Sequence, residues 1–188
     1  IFFSGNFAKT TLGFTFEELA LFFLIVQTTA ILGSILFGIL SDSIGQKKSI
    51  VISLYIWIFT MILAYLISDA SGVFVKYFSE LLNKDSKEFQ SFSFYVVGLL
   101  AGSVMGATQS TSRSLMSKLT PPEKKTEFFG FYSLFGKSSA ILGPLVFGLI
   151  SYFSGSQALA ILSLSLFFII GLFILRFVSD ETQTSAVG

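Results

Sequence analysis

Five stretches of about 20 residues run without a charged side chain or with only one. They are 19–41, 49–68, 89–112, 128–151 (broken only by Lys137) and 157–177 (charge-free as far as Leu175). At 1.5 Å per residue, a helix of that length crosses the roughly 30 Å hydrocarbon layer of a bilayer. Backbone facing lipid must satisfy its own polar groups, so each stretch is predicted to be a helix. A spanning β-barrel would read as alternating segments of about ten residues, and no such segment occurs. Residues 1–8, also apolar, read as the end of a further span. The chain opens inside that run without an initiator Met, which predicts that it starts within a longer protein. The result is an all-α membrane protein with five full spans plus the end of a sixth. Residues 1–178 form the helical bundle and 179–188 a short cytoplasmic tail.

Composition supports the bilayer reading. Hydrophobic residues make up 53% and charged residues 12%, against roughly 25% charge in a soluble domain. A net charge of +1 gives no basis for nucleic-acid binding. Cysteine and histidine are absent, which excludes disulfides, cysteine metal sites and histidine catalysis. No acidic residue lies inside a span, so no acid–base pair is available for membrane-embedded enzyme chemistry. Orientation follows from the basic residues. One side of the membrane carries Lys47, Lys48, Arg113, Lys118, Lys124, Lys125 and Arg176; the other carries Lys9, Lys76, Lys84 and Lys87. The first side is therefore assigned to the cytoplasm.

The connection from 69 to 88 has a pattern of its own. Val73, Phe74, Tyr77, Phe78, Leu81 and Leu82 recur at helical spacing between Lys76, Glu80 and Lys84. Over 71–84 this predicts a short amphipathic helix on the outer membrane surface, with an ordered loop as the alternative. In the third span Gly98, Gly102, Gly106, Ser110 and Ser114 recur every four residues. Such small-xxx-small rows let helix backbones approach closely in lipid. A tight seam is the plain reading, and a surface that slides during transport is the other.

Lys137 stands in "GFYSLFGKSS", 130–139. A phosphate-binding loop needs four residues between its glycines; here five separate Gly130 from Gly136, and they are bulky. Lys137 is ten residues beyond Glu127, the expected membrane boundary, so it lies roughly 15 Å deep. A lysine there costs about 2.5–3.5 kcal/mol on insertion scales. Ser133, Gly136, Lys137, Ala140 and Pro144 share one face of the helix, while Phe131, Phe135, Leu142, Leu145 and Leu149 share the other. Lys137 is thus expected to face a watered, protein-lined cavity, opposite a substrate anion or an acid elsewhere in the protein, or as a neutral amine. The plainer alternative is a lysine held by backbone carbonyls beside a kink at Gly143–Pro144. Gln27-Thr28-Thr29, midway along the first span, is expected to line the same cavity.

Two motifs carry a family resemblance. Gly38, Asp42, Gly45, Lys47 and Lys48 form G-x-x-x-D-x-x-G-x-K-K in a tight turn between two spans, where Asp42 can cap the next helix or accept hydrogen bonds from a neighbouring one. This resembles the signature of the major facilitator superfamily. The second motif is a dense run comprising Gln109, Ser112-Arg113-Ser114, Pro121, Glu127-Phe128-Phe129-Gly130-Phe131-Tyr132, Gly136-Lys137 and Ile141-Leu142-Gly143-Pro144. It resembles the branch containing the vacuolar amino-acid effluxers linked to autophagy and their bacterial relatives. The longer 69–88 connection departs from that pattern.

The resemblance covers nearly all of residues 1–178. It implies the C-terminal six-helix half of a twelve-helix fold, completed by an N-terminal half. It also implies a secondary transporter of a small molecule such as an amino acid, working by alternating access and without a cofactor beyond a coupling proton or sodium ion. A non-transporting membrane receptor or scaffold is the alternative. Expected substrate-binding residues are Lys137, Gln109, Gln27, Ser133 and Tyr132. Expected gating or conformational residues are Gly38, Asp42, Gly45, Lys47, Arg113, Glu127, Gly143 and Pro144. Helix packing is expected from Gly98, Gly102, Gly106 and Ser110. The short tail favours a bacterial inner membrane over an organelle membrane.

Overall fold

The structure, a computed structural model, describes residues 2–178; the expected tail, 179–188, lies outside the described residues. The described chain runs α1 (Phe2–Thr10), α2 (Phe16–Ile44), α3 (Gln46–Leu66), α4 (Val73–Leu81), α5 (Ser86–Leu119), α6 (Lys125–Ser154), α7 (Gln157–Ser163) and α8 (Ser165–Leu175). A single 3-10 turn, Pro122–Lys124, precedes α6. α2, α3, α5, α6 and the α7–α8 pair are each long and apolar enough to cross a membrane. Their outward faces carry Leu24, Leu36, Ile39, Phe59, Ile170 and Phe173 in the open, an apolar surface that lipid can cover.

The helices overrun the charge-free stretches because capping groups sit beyond them. Thr15 and Glu18 form a reciprocal capping box at α2: the Thr15 N–H donates to Glu18 Oε2 at 2.7 Å, and the Glu18 N–H donates to Thr15 Oγ1 at 3.3 Å. Asp85 accepts the Lys87 N–H at 3.1 Å and opens α5; Ser156 accepts the Leu159 N–H and opens α7. Each cap satisfies donors that a helix start leaves orphaned, and each lies at the α4 end of the bundle. The last span is two helices, where a single one was predicted. Around Leu164 the backbone tightens to three-residue hydrogen bonds, Leu164 N–H to Ile161 and Phe167 N–H to Leu164, as in a short 3-10 turn.

α5 is the hub: it packs along α2, α3 and α4, while α8 and α7 lie on α3. The α2–α5 seam is held close by glycine. A Cβ on Gly102 would stand 2.4 Å from the Val26 carbonyl oxygen, and one on Gly106 would stand 2.1 Å from that of Ala30. Gly33 of α2 answers from the other side, 2.0 Å from the Ser103 carbonyl. Towards the α4 end the seam widens into an aromatic core. Phe22 stacks on Phe94 with ring centroids 4.6 Å apart, and Phe7 and Phe14 of the α1 region close over Phe94. On the α3 side, the Trp57 indole N–H donates to Thr108 Oγ1 at 3.2 Å, and Thr108 in turn meets Ser53 at 3.3 Å. α6 packs along α7 and leaves most of its surface open.

The α2–α3 turn corrects one expectation. Gly45 closes α2, donating to the Ser41 carbonyl, and also precedes α3, which has no side-chain cap. Asp42 is therefore not the cap: it falls in the last turn of α2, three residues too early, and is exposed. The connection to α4 is ordered by Asp69, whose carboxylate accepts from the Ser71 hydroxyl at 2.6 Å and its N–H at 2.8 Å. The hydroxyl above all, then the N–H, hold this exposed carboxyl below its ordinary value. α4 itself occupies the middle of the stretch 71–84 that the hydrophobic pattern picked out.

Candidate functional site

The close α2–α5 seam opens on one side into a groove of about 440 Å³, lined chiefly by Gln27, Ile31 and Ser34 of α2 with Gln109, Ser110 and Arg113 of α5. Its geometry follows from helical spacing. Gln27, Ile31 and Ser34 lie three to four residues apart on α2, as do Gly106, Gln109, Ser110 and Arg113 on α5. α2 and α5 run parallel, with contacts advancing together from Phe22–Gly98 through Val26–Gly102 to Ala30–Gly106, and this brings the two rows side by side at the groove. Glycine and small residues at the seam set the floor, while Gln27, Gln109 and Arg113 stand exposed at its walls. The Arg113 guanidinium has no acidic partner among the described residues. The groove can therefore offer two amides and a permanent cation to an anionic or zwitterionic guest.

Other expected site residues fall elsewhere. Lys137 sits in α6, about 18 Å along the axis from its start, exposed and without a hydrogen-bond or ion-pair partner among the described residues. It does not line the α2–α5 groove. Ser133 is exposed on the same helix. The Tyr132 hydroxyl shares a hydrogen bond with Ser112 Oγ at 2.9 Å, joining the start of α6 to α5. α6 runs as one helix through Gly143 to Ser154 with Pro144 in its interior, where the proline has no N–H to donate to the preceding turn. Glu127 is exposed in the first turn of α6, where its charge complements the helix dipole.

The turn that holds Gly45 also holds the Lys47 ammonium, which donates to the Val178 carbonyl just past α8. A Cβ on Gly38 would meet nothing within 4 Å among the described residues, and its carbonyl accepts from the Ser41 hydroxyl at 2.8 Å. Gly98, Gly102 and Gly106 face α2 across the seam, with Gly98 under the Phe22 ring. Gly106 and Ser110, the next of that row, both line the groove.

Two features escaped the sequence reading. Gly33 belongs to the seam as fully as the glycines of α5, and its signal was the short small-residue row Ala30, Gly33, Ser34. Arg113, expected only at a gate, shares a wall with Gln109 one turn away. A second, larger concavity of about 1000 Å³ opens at the α4 end, bordered by Glu18, Asp69 and Gln157. Three of its polar groups serve the fold: Glu18 caps α2, Asp69 holds Ser71, and Gln157 accepts from Thr10 at 2.8 Å. Among the described residues no group of His, Cys, Asp or Glu could hold a metal ion.

The family model described as vacuole effluxer Atg22-like matches residues 2–187. The chain is 29% identical over 173 residues to an uncharacterized MFS-type transporter, YxiO, of Bacillus subtilis, covering 92% of this chain and 36% of that protein. It is 29% identical over 144 residues to autophagy-related protein 22-2 of Sclerotinia sclerotiorum, covering 77% and 21%. It is 38% identical over 81 residues to autophagy-related protein 22 of Kluyveromyces lactis, covering 43% and 16%. The chain thus spans 36% or less of the length of these relatives. No solved structure matches it.

Proposed function

The chain belongs to the Atg22-like vacuole effluxer family, and on that footing we propose that it is the C-terminal half of a secondary transporter that moves a small solute, such as an amino acid, by alternating access. The observation that carries the location of the solute is the α2–α5 groove. There Gln27, Gln109 and Arg113 converge from two spans in a space of about 440 Å³, within the range of small-molecule sites. Polar groups inside a membrane bundle are expensive and mark solute pathways.

Lys137 supplies a second positive charge, on the open face of α6. In this reading the carboxylate of the solute is held between cations and amides, and the other half of the protein closes over it. The end carrying Lys47, Lys48 and Arg176 faces the cytoplasm, in keeping with the excess of basic residues there. Asp42, Arg113 and Glu127 act near that end when the path closes.

The test is transport of labelled amino acids by the full-length protein in proteoliposomes. Lys137→Met and Gln109→Leu are each expected to lower uptake at least tenfold with insertion and folding unchanged. Undiminished transport in both variants would remove the site. Absence of amino-acid transport by the unaltered protein would remove the solute class.

A further inference from the structure

α4 has three sectors rather than two. Val75 and Ser79 are buried against the bundle. Phe74 and Phe78 beside them are half-buried, and the Phe78 ring lies parallel to Phe89 of α5 at 6.2 Å. Lys76 and Glu80 are exposed on the far side. Between the packed and the charged sectors runs a third stripe, Val73, Tyr77 and Leu81, one residue per turn and 87%, 63% and 66% exposed. At 100° per residue these three cover roughly 80° of the helix surface.

A helix docked on one side, charged on another and apolar on a third needs water along one flank and an apolar medium along the other. We propose that α4 lies at the boundary of the leaflet opposite the Lys47–Lys48 turn, with Val73, Tyr77 and Leu81 inserted among the headgroups and upper acyl chains. Exposed apolar residues continue past α4: Leu82 follows the stripe in the open, the Lys84 ammonium stands 5.5 Å over the Phe92 ring, and Phe92, Val96 and Leu99 are exposed in turn along α5. Tyr77 suits this depth, because its ring is apolar and its hydroxyl reaches water.

The orientation of α4 is fixed from both ends. After α4, Asn83 takes a left-handed φ of 56° and the Lys84 N–H returns to the Ser79 carbonyl at 2.9 Å. Before α4, the Gln90 amide of α5 donates to the Ile67 and Ser68 carbonyls at 2.7 and 3.2 Å. The charges nearly cancel: Lys76 faces Glu80 one turn on, and Lys84 pairs with Glu88 at 2.7 Å. Docking therefore rests on apolar insertion, and anionic headgroups add little to it.

Single cysteines test this in the full-length protein, freed of any other cysteine, reconstituted in bilayers and labelled with a nitroxide. At Val73→Cys, Tyr77→Cys and Leu81→Cys the probe is expected to be more accessible to oxygen than to a water-soluble nickel chelate. At Lys76→Cys and Glu80→Cys the ratio is expected to invert. The pattern should hold with or without anionic lipid. Chelate access at 77 and 81 equal to that at 76 would overturn the proposal, as a solvated stripe. Shielding of 73, 77 and 81 from both reagents would also overturn it, as a stripe covered by protein.

Discussion

Single residues set the terms on which these helices meet. Gly45 adopts φ 93° and ψ 151° between α2 and α3, a region open essentially to glycine alone, where another residue costs about 1–3 kcal/mol. Gly45→Val should lower the thermal midpoint of the full-length protein in detergent by a corresponding amount, without changing its helix content by circular dichroism. Thr111 makes the opposite case. Its hydroxyl is enclosed and without a hydrogen-bond partner among the described residues, as is that of Ser49. A buried donor left unpaired carries a penalty of about 1–3 kcal/mol, so Thr111→Val, of nearly the same shape, should be neutral or raise stability by about 1 kcal/mol. The same melting experiment reads it, and a clear loss would mean that the hydroxyl is paired in the assembled protein.

At the scale of elements, α5 does most of the joining. One face meets α2 through Gly98, Gly102 and Gly106, another meets α3 through Thr108, and its first turns receive α4. The every-fourth-residue row along α5 is legible in the sequence, because spacing alone puts those residues on one face. Which helix lies against them is not, since small residues say only that something comes near. Gly102→Val places a branched side chain where even a Cβ would stand 2.1 Å from Thr29 Oγ1. Overpacking a tight contact costs about 1–3 kcal/mol, so this variant should unfold earlier and also lose transport, because the displaced seam carries the groove. Scanning calorimetry together with a transport assay distinguishes that outcome from a tolerated change. α4 shows the complementary lesson. Its periodicity marked a helix in the sequence, but three sectors with three environments became visible only once Val75 and Ser79 were seen to face the bundle.

At the scale of the whole molecule, two surfaces differ in kind. The faces of α2, α3 and α8 that bear Leu, Ile and Phe suit lipid. α6 instead leaves open a strip containing Gly130, Ser133, Gly136, Lys137 and Ala140, and a Cβ on Gly130 or Gly136 would meet nothing within 4 Å. Small and charged residues gain nothing from acyl chains, so this strip matches the reading in which the rest of a longer transporter covers it. The groove opens beside Gln27 and Arg113 for want of a helix over it within the described residues. By itself the sequence determined the class and the number of spans, because lipid allows one backbone solution to a long charge-free run and because charge and glycine punctuate the ends. It also marked Gln27, Gln109 and Lys137 as costly polar residues inside the membrane. Only the tertiary structure decided that Gln27, Gln109 and Arg113 share one groove while Lys137 lies outside it. Depth along a helix follows from counting residues; which faces oppose one another depends on how closely each pair of helices packs.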